Sequence, residues 1–229
     1  MVKQIFTAIL LFTVLYGCKK NDNTIDPLKK GLVAYYPFNG NTNDESGNAN
    51  HGTALKNELT SDHNSVSNRA FNFDGTNYIK VPNSSSLSSI KKALSITAWI
   101  YNIDQLVSII CKADYDGATM QFRLFSDNAI LFANNGQSAD FTATLNPLNT
   151  WKHIAIVSDG ISAKYYLNGI LQATIASHSD EVSTDTTTAM YIGADTHGTT
   201  EYYRGKLDEI RIYNRVLSDS EVQKIYSGK

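Results

Sequence analysis

The residues Ala163–Thr174, AKYYLNGILQAT, carry the clearest local signal in the chain. Asn168-Gly169 stands between two runs rich in β-forming side chains. Both residues tolerate the positive φ that a two-residue hairpin turn demands, so the stretch reads as two antiparallel strands joined tightly. Segments of the same kind recur on either side. LSITAWIY (94–101) alternates, with Leu94, Ile96, Ala98 and Ile100 facing one way and Thr97, Trp99 and Tyr101 the other. Both sets are largely apolar, so the strand is expected to be central and covered on both faces. WKHIAIVSDG (151–160) sets Ile154 and Ile156 against His153, Ala155 and Val157. LVAYYPF, MQFRLFS, AILFAN, AMYIG and YYRGKLDEIRIYN supply further strands, separated by turn signals. AFNFDG and YIKVP are expected to form a hairpin about Gly75.

One helix is expected, over SDSEVQKIY (218–226). Ser218 and Glu221 form a capping box that satisfies two otherwise free amide donors, and Val222, Ile225 and Tyr226 follow at helical spacing. No internal repeat is visible. Roughly twelve to fourteen strands with one terminal helix specify an all-β, antiparallel two-sheet sandwich of the jelly-roll kind.

The N-terminus is read apart from the fold. Ile5–Tyr16 is an apolar run of twelve residues preceded by Lys3. That is too short to span a bilayer, which takes about 20 residues, and it fits a secretory leader. LYGC (15–18) resembles a bacterial lipobox, with bulky Tyr16 as its one departure. The expected organisation is a leader over 1–17, lipidated Cys18, a polar tether over 18–30, and one domain over 31–229. Removing Lys3 leaves 19 of the 20 basic residues against 22 acidic ones, a net charge of −3. Charged residues make up 18% of the chain. Such a chain lacks the clustered cations that nucleic acid requires. With Cys18 acylated, Cys111 in LVSIICK is left as a buried free thiol.

FNGNTNDESGNANHG (38–52) is the most polar stretch, with five Asn among its fifteen residues. Two readings stand. It is a solvated turn, which Asn, Asp, Gly and Ser favour for backbone reasons, or it is a preshaped set of oxygen ligands for a hard cation such as calcium. In KLDEIRIYN (206–214), strict alternation puts Asp208 with Ile210 and Ile212 on the inner face, and Glu209 with Arg211. A carboxylate buried there needs a metal, a cation or several amide donors. Pairing with Arg204 or Arg211 is the alternative to a metal.

Taken in order, GLVAYYPFNGNTNDESGNANHGT, AFNFDGTNYIKVP, LSITAWIY, WKHIAIVSDG with AKYYLNGILQAT, YIGAD and RGKLDEIRIYNRVLSDSEVQKIY strongly resemble the laminin-G-like, concanavalin A-like jelly-roll domains of bacterial secreted proteins. The resemblance covers residues 31–226. It implies a structural calcium site joining the first loop to the last strand, for which Asn39, Asp44, Asn48 and Asp208 are the matching oxygen donors here. His51 is expected to pack the loop rather than to ligate. The fold also hosts lectins, adhesins and glycosidases.

Retaining glycosidases need two carboxylates about 5 Å apart, on this fold as an acidic E-x-D-x-x-E strand, and that pattern is absent. No Ser-His-Asp spacing, phosphate loop or zinc-type cluster appears. The expectation is therefore a non-enzymatic, surface-anchored binding module for glycan. Its alternative is a protein-binding adhesion or structural component of a cell-surface assembly, and the third reading is a glycoside hydrolase. Candidate ligand contacts are Asp114, Tyr115 and Asp116 in KADYDGA, and His197 and Tyr202 in DTHGTTEYY, where an aromatic sits beside polar groups. Trp99 and Trp151 read as core aromatics, with a sugar-stacking platform as the alternative for either. The membrane is expected to be met through the lipid anchor alone, in the bacterial cell envelope as an outer-membrane lipoprotein.

Overall fold

The turn at Asn168-Gly169 forms as its residues require, with φ of 49° and 76°. The Asn168 side chain also accepts from the His153 amide at 3.0 Å, tying the turn to the next strand. The computed structural model describes residues 26–103, 107–114, 117–125, 129–134, 137–142, 148–176, 187–195 and 201–228. Its strands are β1 (Leu32–Tyr36), β2 (Thr53–Ala54), β3 (Leu59–Thr60), β4 (Ala70–Asp74), β5 (Ile79–Val81), β6 (Leu94–Asn102), β7 (Val107–Asp114) and β8 (Gly117–Phe125). They continue as β9 (Ala129–Asn134), β10 (Gln137–Thr142), β11 (Trp151–Ser158), β12 (Ser162–Leu167), β13 (Ile170–Ala176), β14 (Met190–Ile192) and β15 (Arg204–Tyr213). Helix α1 (Asp219–Ser227) closes the chain, with both bonds of the Ser218/Glu221 capping box in place.

Two antiparallel sheets face each other. One runs β13-β12-β11-β6-β15-β4-β3, with β1 also on β15, and the other runs β10-β9-β8-β7-β14-β5-β2. This is the expected two-sheet jelly-roll sandwich. Between the sheets lie Leu94, Ile96, Ala98 and Ile100 of β6, Ile154 and Ile156 of β11, and Phe122, Ile130, Met190 and Ile192 from the opposite sheet. Cys111 is buried and forms no disulfide among the described residues.

Two expectations are corrected. AFNFDG and YIKVP are not a hairpin, because β4 belongs to the eight-stranded sheet and β5 to the seven-stranded one. Gly75, at φ 86°, turns the chain from one sheet to the other. The segment just before Gly31 is not a free tether from residue 26 onward. Arg215 donates to the carbonyls of Lys30 at 2.7 Å and Pro27 at 2.9 Å. Leu28 packs under α1 against the cluster of Val157, Tyr213, Leu217 and Val222.

That cluster covers part of the outer face of the eight-stranded sheet. α1 lies over β11, β12 and β15, burying Val222 and Ile225. The face is therefore divided between an apolar patch under the helix and an open area beyond its C-terminal end.

β15 is the axis of this sheet. Along one edge it pairs with β6; along the other it pairs first with β4, through Arg204–Leu207, and then with β1, through Ile210–Tyr213. Gly205 stands within it at φ 139°, and a Cβ there would overlap the Tyr101 carbonyl of β6. Gly205→Ala should therefore cost about 3 kcal/mol or more. A thermal melt should show a fall of about 10 °C, and an unchanged Tm would contradict this close strand approach.

Candidate functional site

The changeover from β4 to β1 shapes the outer face. Asp208 opposes Trp99 and Arg211 opposes Thr97, so three steps on β15 match two on β6. The extra residue makes a bulge, and Glu209 takes φ 52° there. The expected alternation fails at this point. Leu207, Ile210 and Ile212 enter the core, whereas Asp208 turns outward to meet His63, and Glu209 lies on the same outer side, in the cleft with Arg211.

His63 comes from the loop after β3. Asp62 organises that loop by accepting from the amides of Asn64 at 2.9 Å and Val66 at 2.7 Å. Asx turns of this kind are a local property of Asp. The loop holds the His63 ring flat on Trp99, with centroids 4.2 Å apart and planes 8° from parallel. His63 Nδ1 lies 2.7 Å from Asp208 Oδ2, and Nε2 lies 2.9 Å from Asn64 Nδ2. The Asn64 NH₂ group can only donate, so with Nδ2 on this side Nε2 accepts and Nδ1–H donates to Asp208 Oδ2.

Tyr226, from the last turn of α1, stands 5.6 Å from Trp99 and forms the opposite wall. Between the two walls is a cleft of about 680 Å³ that Trp99, His63, Asn64, Glu209, Arg211 and Tyr226 line. Trp99 is half-buried beneath this cleft and Trp151 lies edge-on to His63 at 6.4 Å, so both tryptophans are on the outer face and neither is in the core between the sheets.

Glu209 and Arg211 form an ion pair, and the Tyr35 hydroxyl donates to both Glu209 oxygens at 2.9 Å. The Arg211 guanidinium also lies over the Tyr35 ring, 4.1 Å from its centroid. Behind the cleft, Asp208 is 1% exposed and its Oδ1 has no partner among the described residues. Burial raises its pKa, against the His63 hydrogen bond that lowers it. His153 is fully buried, with neither ring nitrogen paired among the described residues. Burial first, then Arg211 and His63, pull its pKa down to about 3.

The four expected calcium donors are not gathered. Asp44 Oδ1 accepts from the amides of Tyr35 and Ser46, both at 2.8 Å, and Oδ2 from Ser46 Oγ at 2.8 Å and the Asn50 amide at 2.9 Å. All its acceptor directions are met by hydrogen donors. Asn48 turns its NH₂ group to the Leu32 and Val33 carbonyls. Asn39 is exposed. Asp208 is held by His63 instead of Arg204 or Arg211. These residues do not fit a calcium ion. Among the described residues no group of three or more His, Cys, Asp or Glu is placed to hold a metal. His51 is exposed, and its Nδ1 accepts from the Asp44 amide at 3.1 Å.

Of the expected ligand contacts, Tyr115, Asp116 and His197 lie outside the described residues, as does Cys18. Asp114 ends β7. Tyr202 is half-buried just before β15. Tyr202 is not among the residues that line the cleft. Sequence reasoning missed His63, Asn64, Glu209, Arg211 and Tyr226 as one constellation. The Asp62-His63-Asn64 turn was the available signal.

A family model described as the concanavalin A-like lectin/glucanases superfamily, in its laminin G-like branch, matches residues 73–223. The chain belongs to this family. Solved structures share its jelly roll. Domain 4 of AbnA, a GH43 extracellular arabinanase from Geobacillus stearothermophilus in complex with arabinotriose, is 20% identical with a TM-score of 0.67. That likeness covers 85% of this chain and 98% of that one. The binding domain of Paraclostridial Mosquitocidal Protein 1 is 17% identical, with a TM-score of 0.69 over 88% of this chain and 53% of that one. A botulinum neurotoxin type C structure, from work on cell entry dependent on two ganglioside molecules, is 14% identical, with a TM-score of 0.67 over 88% and 52%. The chain thus spans about half the length of the two toxin structures. No curated protein matches it by sequence. The superfamily, as its name states, takes in both lectins and glucanases.

Two outcomes test this reading of the polar groups. Asp44→Ala leaves three backbone amides without their acceptor and should cost roughly 3 kcal/mol or more. Its Tm, and that of the wild type, should be the same in chelator and in millimolar calcium; a calcium-dependent rise would restore the metal reading. For His153, the folded-state pKa lies below the ~6.5 of an exposed histidine. The stability of its neutral form is present above about pH 6.5 and is lost as the pH falls toward 3. His153→Leu should flatten that acid limb in denaturant titrations, and an unchanged pH dependence would contradict it.

Proposed function

We propose that this chain is a non-catalytic glycan-binding module and that its site is the cleft on the outer face of the eight-stranded sheet. The observation that carries this is the cleft's lining, in which Trp99, His63 and Tyr226 stand beside Asn64, Glu209 and Arg211. Sugar rings offer apolar C–H faces to aromatic rings and hydroxyls to amides, carboxylates and guanidinium groups. The GH43 arabinanase domain with arabinotriose, and the neurotoxin whose entry depends on gangliosides, support a glycan over other ligand classes.

Hydrolysis is disfavoured by the state of the acids. Asp208 is buried on His63, and Glu209 is held by Arg211 and Tyr35. A pair working as acid and nucleophile needs both carboxyls free to reach the scissile bond. The N-terminal resemblance to a lipobox supports a lipid anchor at Cys18, which would hold the module at the bacterial outer membrane.

The test is titration calorimetry of the intact domain against arabino-, xylo-, cello- and galacto-oligosaccharides and ganglioside head groups. At least one should bind. Trp99→Ala should weaken that binding by roughly thirtyfold, and exposed Asn64→Ala should weaken it while leaving the melt unchanged. Absence of binding across the panel, or binding indifferent to both variants, would overturn the proposal.

A further inference from the structure

A second cleft, of about 480 Å³, adjoins the first. Leu28, Leu32 and Tyr35 give it an apolar floor, and Asp26, Lys29 and Glu45 give it charged walls. Arg211 lines both clefts. The ridge between them is the Tyr35–Glu209–Arg211 group, a ring, a carboxylate and a guanidinium locked together by the contacts already described. This ridge is rigid and polar. A guanidinium carries five N–H donors. Among the described residues, those of Arg211 are engaged only by the Glu209 carboxylate and the Glu209 carbonyl, so donors remain for a ligand crossing over it.

We infer that the two clefts are subsites of one groove, and that the module reads the interior of an extended oligosaccharide in preference to a single terminal sugar. The inference rests on the glycan reading of the first cleft. A short ligand occupies the Trp99–Tyr226 cleft alone. A longer one crosses Arg211, which hydrogen-bonds the middle of the chain, and sets further sugar units against Tyr35 and Leu32 with Lys29 and Glu45 on their hydroxyls. The first cleft then decides whether a glycan is bound, and the second decides how strongly chain length matters.

The test uses the full domain and the same oligosaccharide panel at one, three and six sugar units. Affinity should rise by roughly tenfold or more from one unit to six. Lys29→Ala and Glu45→Ala, both at exposed positions, should remove most of that gain while leaving single-unit affinity unchanged. Trp99→Ala should weaken every length alike. Equal affinity for one and six units, or a length gain that survives both second-cleft variants, overturns the groove while leaving the glycan reading intact. Failure of every length to bind overturns both.

Discussion

One strand has to serve three partners, and the rest of the sheet depends on how it does so. β15 keeps β6 along its whole length on one side, but on the other it passes from β4 to β1. The exchange happens at Asp208–Glu209, where the strand takes in an extra residue. A bulge at that point increases local twist and re-aims side chains. Here it sends two consecutive carboxylates to the outside of the sheet. Had alternation continued, Asp208 would lie among Ile210 and Ile212, where an unpaired carboxylate is very costly. The same local irregularity spares the core a charge and supplies the outer cleft with its acidic groups.

The asparagine-rich loop answers to a related constraint. β1 pairs with β15 on one edge only, which leaves its other edge as a row of free amides and carbonyls, a liability in any sheet. The loop folds back over that edge. Asp44 takes the Tyr35 amide, while Ser46, Asn48 and Asn50 all donate to the Val33 carbonyl. Asn50 in turn is bonded to Ser84 and Ser86 across the sandwich. Asp44, Ser46, Asn48 and Asn50 thus cover the strand edge with side chains, while Asn41 and Thr42 bond within the loop.

The outer cleft is built on rigid supports. Its floor is the middle of the sheet and its wall is the last turn of a capped helix clamped by Arg215, which pairs with Glu221 at 2.7 Å. His63 is the element carried on a loop, and the Asp62 turn and the Asp208 bond hold it at two points. Behind it, one Asp208 oxygen and both His153 ring nitrogens are buried without a hydrogen-bond partner among the described residues; departures of this kind from a fully satisfied core are expected near functional sites.

By itself the sequence determined what depends on neighbours within a few residues. The Asn168-Gly169 turn, the alternation of β6 and β11, the capping box of α1 and the two-sheet architecture all follow from turn chemistry, period-2 burial and local hydrogen bonding. The family resemblance was carried by the same blocks. Local signals misled where long-range pairing took over. Gly75 looked like a hairpin tip because a turn residue reads the same whether the next strand returns to the same sheet or crosses to the other. Trp99 and Trp151 read as core side chains because periodicity separates two faces without saying which one the second sheet covers. Asp208 was placed on the wrong face because an extra residue in a strand is dictated by the partner strands on either side. The cleft needed the meeting of His63, Trp99, Glu209, Arg211 and Tyr226, which lie as many as 163 positions apart in the chain. Only the tertiary structure decided that meeting, since side chains so distant in sequence become neighbours through strand order and register, which no local propensity contains.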